Sequence, residues 1–218
     1  MSLKPQLWVF CGTNGAGKST LYKRFFDKKF DYVNPDDIKA SIQAAQPHLS
    51  DNVLQIQAAR LALTLRSNLL EERNTFVFET TLSGNSELNL IRKAKELGYK
   101  INLIYIGLSS PKQSLLRVKT RVSKGGHDVP TEAILRRYDQ SLRNLIKIAP
   151  LANRLFIFDN SGKKHRPILT IKDHHTTYVS KQLPEWYKKI ADSISNNKLI
   201  VPKASKSEHN SQSLDLER

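Results

Sequence analysis

The sequence predicts an α/β fold of three layers: a mostly parallel five-stranded sheet with helices on both faces and a helical lid, plus a small C-terminal β-hairpin and helix. Three observations predict it. Short apolar runs of strand length alternate with stretches of helical spacing, the pattern of a parallel sheet whose crossovers are helices. The first run, "LWVFC" (7–11), is closed at once by a glycine-rich loop and followed by a helical stretch. The chain has 218 residues, 39% of them hydrophobic, which suits one domain with a real core and a small appendage.

Taken in order, "LWVFC" is a buried strand and "STLYKRFF" (19–26) has helical spacing. "DYVNPDD" (31–37) is a brief strand ending at Pro35, which suits the first turn of a helix. From 49 to 73 the apolar residues Val53, Ile56, Ala59, Leu63, Leu65 and Leu69 suggest one long helix. "TFVFET" (75–80) is a strand, "SELNLIRKAKELGY" (86–99) a helix stopped near Gly98, and "KINLIYIGL" (100–108) a strand. Residues 111–124 and 131–148 read as helices, and "RLFIFDN" (154–160) as the fifth strand. After Ser161 the β-branched "RPILTIKDHHTTYVSK" (166–181) reads as a hairpin and "PEWYKKIADSI" (184–194) as an amphipathic helix. From about 196 the chain is polar, with few aromatics, and reads as a disordered tail. The expected division is therefore a core over 1–161 with a lid at about 121–137, a basic hairpin and helix packed on it over 162–195, and a tail over 196–218.

Charge narrows the partners. Thirty-five Lys and Arg against 20 Asp and Glu give a net charge of +15, which favours anions such as nucleotides, nucleic acid or acidic lipid. A single cysteine, Cys11, excludes an intrachain disulfide and fits a reducing compartment. "LWVFC" is too short for a signal-peptide core, and no run approaches a membrane helix. A cytoplasmic protein with no membrane partner is expected.

The strongest chemical signal is "GTNGAGKST" (12–20), which fits G-x-x-x-x-G-K-[ST] between a strand and a helix. Glycines there permit turns that aim successive N–H groups at phosphate oxygens, at a helix N-terminus whose dipole favours anions. The expected ATP-binding residues are Gly12, Thr13, Asn14, Gly15, Ala16, Gly17, Lys18, Ser19 and Thr20, with Lys18 reaching the β- and γ-phosphates and the Ser19 hydroxyl on Mg²⁺. "TLSG" (81–84) faintly matches a transporter-ATPase signature, yet the next strand ends in no acidic residue. Guanine-reading Asn-Lys-x-Asp motifs are absent. A kinase for a small molecule or a polynucleotide is what remains.

A kinase needs a positioning base for the acceptor hydroxyl and cations for the transferring phosphoryl group. Asp36 and Asp37 follow the second strand, on the sheet edge where ligand crevices form, with Lys39 one turn on. Asp36 is the expected base. Glu79, Thr80 and Thr81 end the third strand. Glu79 is placed to hold a Mg²⁺-bound water or a substrate hydroxyl, and Thr81 to line the pocket. Between 112 and 147 lie nine basic residues and three acidic ones. Arg117 and Arg121 share a helix face, and Gly125, Gly126 and Pro130 separate them from Arg136 and Arg137. This reads as a lid that closes over ATP and delivers arginine to the phosphates. His127 is expected to order that loop. His174 and His175 have no metal-ligand spacing, and no zinc site is expected.

In this order, "GTNGAGKST", "VNPDDI", "FETTLSG", "IGLSSP", "RVSKGGHDVP", "RRYDQSL" and "DNS" resemble the zeta-toxin-like P-loop kinases, more narrowly the bacterial branch often catalogued as predicted ATPases. The resemblance runs from about Leu7 to Ser161. It implies a P-loop kinase fold, ATP and Mg²⁺ at Lys18 and Ser19, Asp36 as acceptor-side base, and lid arginines, placed at Arg121 and Arg137. It also implies a nucleotide sugar such as UDP-N-acetylglucosamine as acceptor and an antitoxin protein as partner. The Asn-x-Asp-Asp pattern of 34–37 is similar to a phage polynucleotide 5′-kinase, which keeps a nucleic-acid acceptor as the alternative. A nucleotide-dependent toxin–antitoxin binding module without transferase activity is the third. The short Gly-Gly-His-Asp lid and the basic segment after Ser161 depart from the classical toxins. That segment, with Tyr178, Trp186 and Tyr187 among its lysines, fits single-strand nucleic-acid binding or, as the reading favoured here, an ordinary solvated face.

Overall fold

The structure is a computed structural model that describes residues 4–26 and 30–195. The tail expected over 196–218 lies outside the described residues. In chain order the elements are β1 (Gln6–Cys11), α1 (Lys18–Phe25), β2 (Asp31–Val33), α2 (Pro35–Ala45), α3 (Asp51–Glu71), β3 (Phe76–Thr80), α4 (Asn85–Glu96), β4 (Lys100–Gly107), α5 (Pro111–Val122) and α6 (Thr131–Ile148). After a 3₁₀ turn (Ala149–Leu151) come β5 (Arg154–Asp159), β6 (Arg166–Lys172), β7 (His175–Val179) and α7 (Glu185–Ser195).

One sheet runs β2-β3-β1-β4-β5-β6-β7. Its first five strands are parallel, and β6 and β7 add antiparallel beyond β5. The hairpin extends the five parallel strands into one seven-stranded sheet. From β1 the chain passes to β3 and β2 on one side and to β4 and β5 on the other. That reversal opens a crevice at the carboxyl ends of β1 and β3.

Alternation along the strands builds two cores. Leu7, Val9 and Cys11 of β1 join Phe76 and Phe78 of β3 and Leu103 and Tyr105 of β4 on one face, under α3, α4, α6 and α7. Trp8 and Phe10 point the other way, with Ile104, Ile106, Phe156 and Phe158, against Leu21, Tyr22 and Phe26 at the start of the chain. Burying each such side chain contributes roughly 2 kcal/mol.

The long helix over 49–73 is present as α3, but the face differs from the expected one. Leu54, Ala58, Ala62, Arg66 and Leu70 are buried, an unbroken i, i+4 ladder, while Val53, Ile56, Leu63 and Leu65 are exposed. Two alanines on the ladder let α3 lie close to its neighbours, and that close approach outweighs the larger apolar residues on the other side.

The C-terminal helix α7 is tied to the core. Trp186, Tyr187, Ile190 and Ile194 are buried on one side of it. The Trp186 indole occupies a notch left by Gly107, where a Cβ would come within 2.3 Å of the ring. Its Nε1 donates to Asp159 Oδ1 at 3.0 Å. Two of the three aromatics in the basic segment are thus core residues, and of the three only Tyr178 is exposed. Trp186 and Tyr187 are not available to stack nucleic-acid bases.

Candidate active site

The loop between β1 and α1 is shaped by close backbone approach. Gly12 has φ 142°, and a Cβ there would lie 2.2 Å from the Ile106 carbonyl oxygen, so no other residue fits. Neighbouring elements buttress the loop. Thr13 Oγ1 and Ser114 Oγ of α5 are 2.7 Å apart, and Asn160 Nδ2, just after β5, donates to the Ala16 carbonyl at 2.9 Å. His165 also touches it: a Cβ on Gly17 would sit 3.1 Å from the His165 Nε2. Helix α1 opens at Lys18 with no acidic residue in its first turn, which leaves its N-terminal dipole uncompensated for an anion.

Lys18 is buried, and its Nζ donates to the Thr13 carbonyl at 3.2 Å. It also lies 3.7 Å from Glu79 Oε1 at the end of β3. The other carboxylate oxygen, Glu79 Oε2, accepts from Ser19 Oγ at 2.8 Å and from Tyr32 OH at 2.7 Å. Tyr32 is fixed by stacking on Tyr22, with ring centroids 3.7 Å apart. Burial first, then the adjacent Glu79 charge, hold its phenol well above the ordinary range.

This donor set can be tested against Mg²⁺. Ser19 and Glu79 present hard oxygen donors side by side, and Mg²⁺ is held by one or two carboxylates and substrate phosphates more often than by a full protein cage. Among the described residues no cluster of three or more His, Cys, Asp or Glu gathers. The residues fit a magnesium ion shared with a nucleotide.

A cavity of about 410 Å³ extends from this cluster, between the P-loop, α2, α3, the end of β3 and the α5–α6 loop. Asp36 reaches it from the N-terminus of α2. There Asn34 caps the helix, its Oδ1 accepting from Asp36 N at 3.1 Å, and the exposed Asp36 lines the cavity. Asp37 is engaged with the cap instead, accepting from Asn34 Nδ2 at 3.3 Å. Lys39, Glu79, Thr80 and Thr81 line the cavity too. Thr20 is exposed on α1 and lies outside the lining.

The α5–α6 loop covers one side. Gly125 N donates to Val122 O at 2.9 Å and Gly126 N to Arg121 O at 3.0 Å, with Gly125 at φ 82°. This is a Schellman turn, so the glycine pair first of all ends α5. His127 then crosses to α2 and α3. Its Nδ1 lies 3.3 Å from Lys39 Nζ and its Nε2 3.0 Å from Gln55 Nε2. Lys39 in turn pairs with Asp51 at 2.5 Å. His127 therefore orders the loop through the opposite wall, not through Asp128. Outside this bridge a second hollow of about 650 Å³ opens beside Asp36 and Lys39.

Arg117, Arg121, Arg136 and Arg137 separate cleanly. Arg117 Nη2 donates to the carbonyls of Asn160 and Gly162 at 2.5 and 3.1 Å and holds the loop after β5. Arg136 is exposed. Arg121 and Arg137 line the cavity, Arg121 being aimed by its Nη2 bond to the His127 carbonyl at 2.6 Å. The sequence reading passed over three lining or supporting groups: Tyr32, Glu87 and Arg66. Only Arg66 left a signal, as the one charged rung of the Leu54–Ala58–Ala62–Leu70 ladder.

A family model described as Zeta toxin matches residues 1–165. A Haemophilus influenzae protein described as an uncharacterized protein is 36% identical over 143 residues, 62% of this chain and 99% of that one. Among solved structures, the AvrRxo1-ORF1:AvrRxo1-ORF2 complex with sulphate ions is similar at TM-score 0.68 and 19% identity, over 88% of this chain and 65% of that one. This chain thus spans just under two thirds of that neighbour's length. The same pair with ATP superposes at TM-score 0.65 and 16% identity, over 95% of this chain and 67% of that one. The PezAT chromosomal toxin–antitoxin system of Streptococcus pneumoniae gives 0.56 and 18%, over 89% and 78%. At these identities the solved structures establish the fold.

Proposed function

The chain belongs to the zeta toxin family, and from that premise we propose that it is an ATP- and Mg²⁺-dependent phosphotransferase acting on a hydroxyl of a small metabolite, with a nucleotide sugar such as UDP-N-acetylglucosamine as acceptor. The observation that carries the proposal is the Lys18–Glu79–Ser19 cluster beside a cavity that Lys18, Glu79 and Asp36 line together. Family membership and an ATP-bound structural neighbour support ATP as the donor.

In this reading the P-loop amides of 12–17 and Lys18 hold the β- and γ-phosphates. Ser19, and Glu79 by way of a water, would hold Mg²⁺, which when bound would supply charge neutralisation for the phosphates. Asp36 accepts the proton of the acceptor hydroxyl as its oxygen bonds to the γ-phosphorus, and the bond to the β-phosphate oxygen breaks to release ADP. Arg121 and Arg137 stabilise the charge on the transferring group. Lys39 and Thr81 line the acceptor side. The core over 1–161 carries the chemistry, and 162–195 buttresses it.

Two-protein neighbours support an antitoxin partner. Among the described residues no helix is long and apolar enough to cross a membrane; ATP dependence and a lone cysteine support a cytoplasmic location.

The test is transfer of labelled γ-phosphate from Mg·ATP to UDP-N-acetylglucosamine, with Lys18→Ala as blank. Asp36→Ala is expected to slow transfer by roughly 10²–10⁴-fold with ATP affinity nearly unchanged. Loss of ATP binding in that variant would count against Asp36 as base. Label on a 5′-hydroxyl oligonucleotide instead would favour the polynucleotide kinase, and slow ATP hydrolysis with no labelled acceptor the binding module.

A further inference from the structure

Tyr32 packs in an apolar cluster that a phenylalanine would fill equally well: Phe10, Phe26 and Val77 are buried there, with Phe25 and Phe30 against them. What Tyr32 adds is a hydroxyl, and that hydroxyl donates to Glu79 Oε2 at 2.7 Å. Its aim is set from two sides. In the parallel ladder Tyr32 stands opposite Val77, and strand alternation puts Tyr32, Val77 and Glu79 on the face that α1 covers. From the α1 side the ring is held on Tyr22, with centroids 3.7 Å and planes 8° apart. Tyr22 lies three residues beyond Ser19 on that helix, so the two are neighbours on its surface. The element that presents Ser19 therefore also fixes Tyr32.

Two donors thus meet on one carboxylate oxygen. Ser19 Oγ gives its only proton to Glu79 Oε2 at 2.8 Å, which leaves the Ser19 lone pairs for a cation. The Tyr32 phenol takes the remaining lone pair of Oε2 and fixes the carboxylate in that orientation. Glu79 Oε1 stays 3.7 Å from Lys18 Nζ, outside hydrogen-bond range. With the phenol removed, Ser19 alone would direct the carboxylate. Tyr32 does not line the cavity, so whatever it does there is done through Glu79.

We propose that Tyr32 is a positioning residue for the magnesium site: by fixing Glu79 it keeps the Ser19 proton turned away and the Ser19 oxygen open to a nucleotide-bound Mg²⁺. Hydrogen-bond partners that orient a metal-binding group in this way change metal affinity by about 10–100-fold. The inference rests on reading Ser19 and Glu79 as the place of Mg²⁺.

The experiment titrates a non-hydrolysable ATP analogue into the full chain by calorimetry, once with Mg²⁺ and once with a chelator. It compares wild type, Tyr32→Phe, Glu79→Ala and the double variant. Wild type is expected to bind the analogue more tightly with Mg²⁺ than without. Tyr32→Phe keeps the ring on Tyr22 and loses only the hydroxyl. It is expected to bind the Mg²⁺ complex at least about tenfold more weakly, with unchanged affinity in chelator. In the Glu79→Ala background the same change should do nothing further, because the phenol has no carboxylate to act through. Equal affinity of Tyr32→Phe and wild type with Mg²⁺ overturns the proposal. Equal weakening with and without the metal also overturns it, since that marks a packing role, as does a full effect in the Glu79→Ala background. A wild-type affinity indifferent to Mg²⁺ would instead sink the reading of Ser19 and Glu79 as the metal's place, and this proposal with it. Failure of wild type to bind the analogue at all would sink the kinase reading first.

Discussion

His165 lies against the P-loop, where its surroundings disfavour the charged imidazolium. Burial lowers its pKa below the ordinary 6.5, with Arg117 and Arg24 adding to the effect and the adjacent Gly17 backbone opposing it. The sign follows from linkage. Above about pH 7 the imidazole is neutral both folded and unfolded and costs nothing. As pH falls through 6.5 the unfolded chain takes the proton first, so stability is lost until pH drops below the lowered folded value. His165→Gln should therefore flatten the fall in Tm between about pH 7 and 5.5 relative to wild type, and an unchanged slope would show that other groups govern it. Side chains fixed by local spacing were legible in the sequence: Gly12, Lys18 and Ser19 follow from one loop between a strand and a helix. Tyr32 and Arg66 were not, because their roles depend on which strand adjoins β2 and which face α3 buries. Both facts are set by packing over long sequence separations.

Strands and helices themselves were readable because apolar runs and Gly or Pro boundaries mark them; their orientations were less so. In α3, large apolar residues at Val53, Ile56 and Leu63 pointed to one face while two alanines decided for another. The α5–α6 loop illustrates the same limit. Its glycines marked a break, but the contact that closes it, His127 against Lys39 and Gln55, joins residues 88 and 72 positions apart. That contact carries a prediction. His127→Ala removes both tethers and should loosen the loop, raising the acceptor KM and the share of ATP lost to water. A ratio of hydrolysis to transfer equal to wild type would show that the tethers do not govern closure.

Across the whole molecule, the C-terminal hairpin and helix behave as part of the same packed unit as the P-loop core. The five parallel strands and the following hairpin were legible in the sequence, yet the joining of β6 to β5 was not, since pairing partners leave no local mark. Gly107 is where the two parts interlock. Gly107→Ala would push a methyl group into the Trp186 ring and should cost about 1–3 kcal/mol by overpacking. Urea unfolding should shift as a single transition; a separate early transition confined to tryptophan fluorescence would instead mean that α7 detaches on its own. The interlock also bears on the order of synthesis. Asn160, which props the P-loop at Ala16, is translated 144 residues after its partner, and Trp186 is translated 27 residues after neighbouring Asp159, which it secures. A ribosome thus makes the nucleotide cradle early and its props late, so a nascent chain interrupted before Trp186 carries the full phosphate-binding motif without the scaffold that holds it in shape.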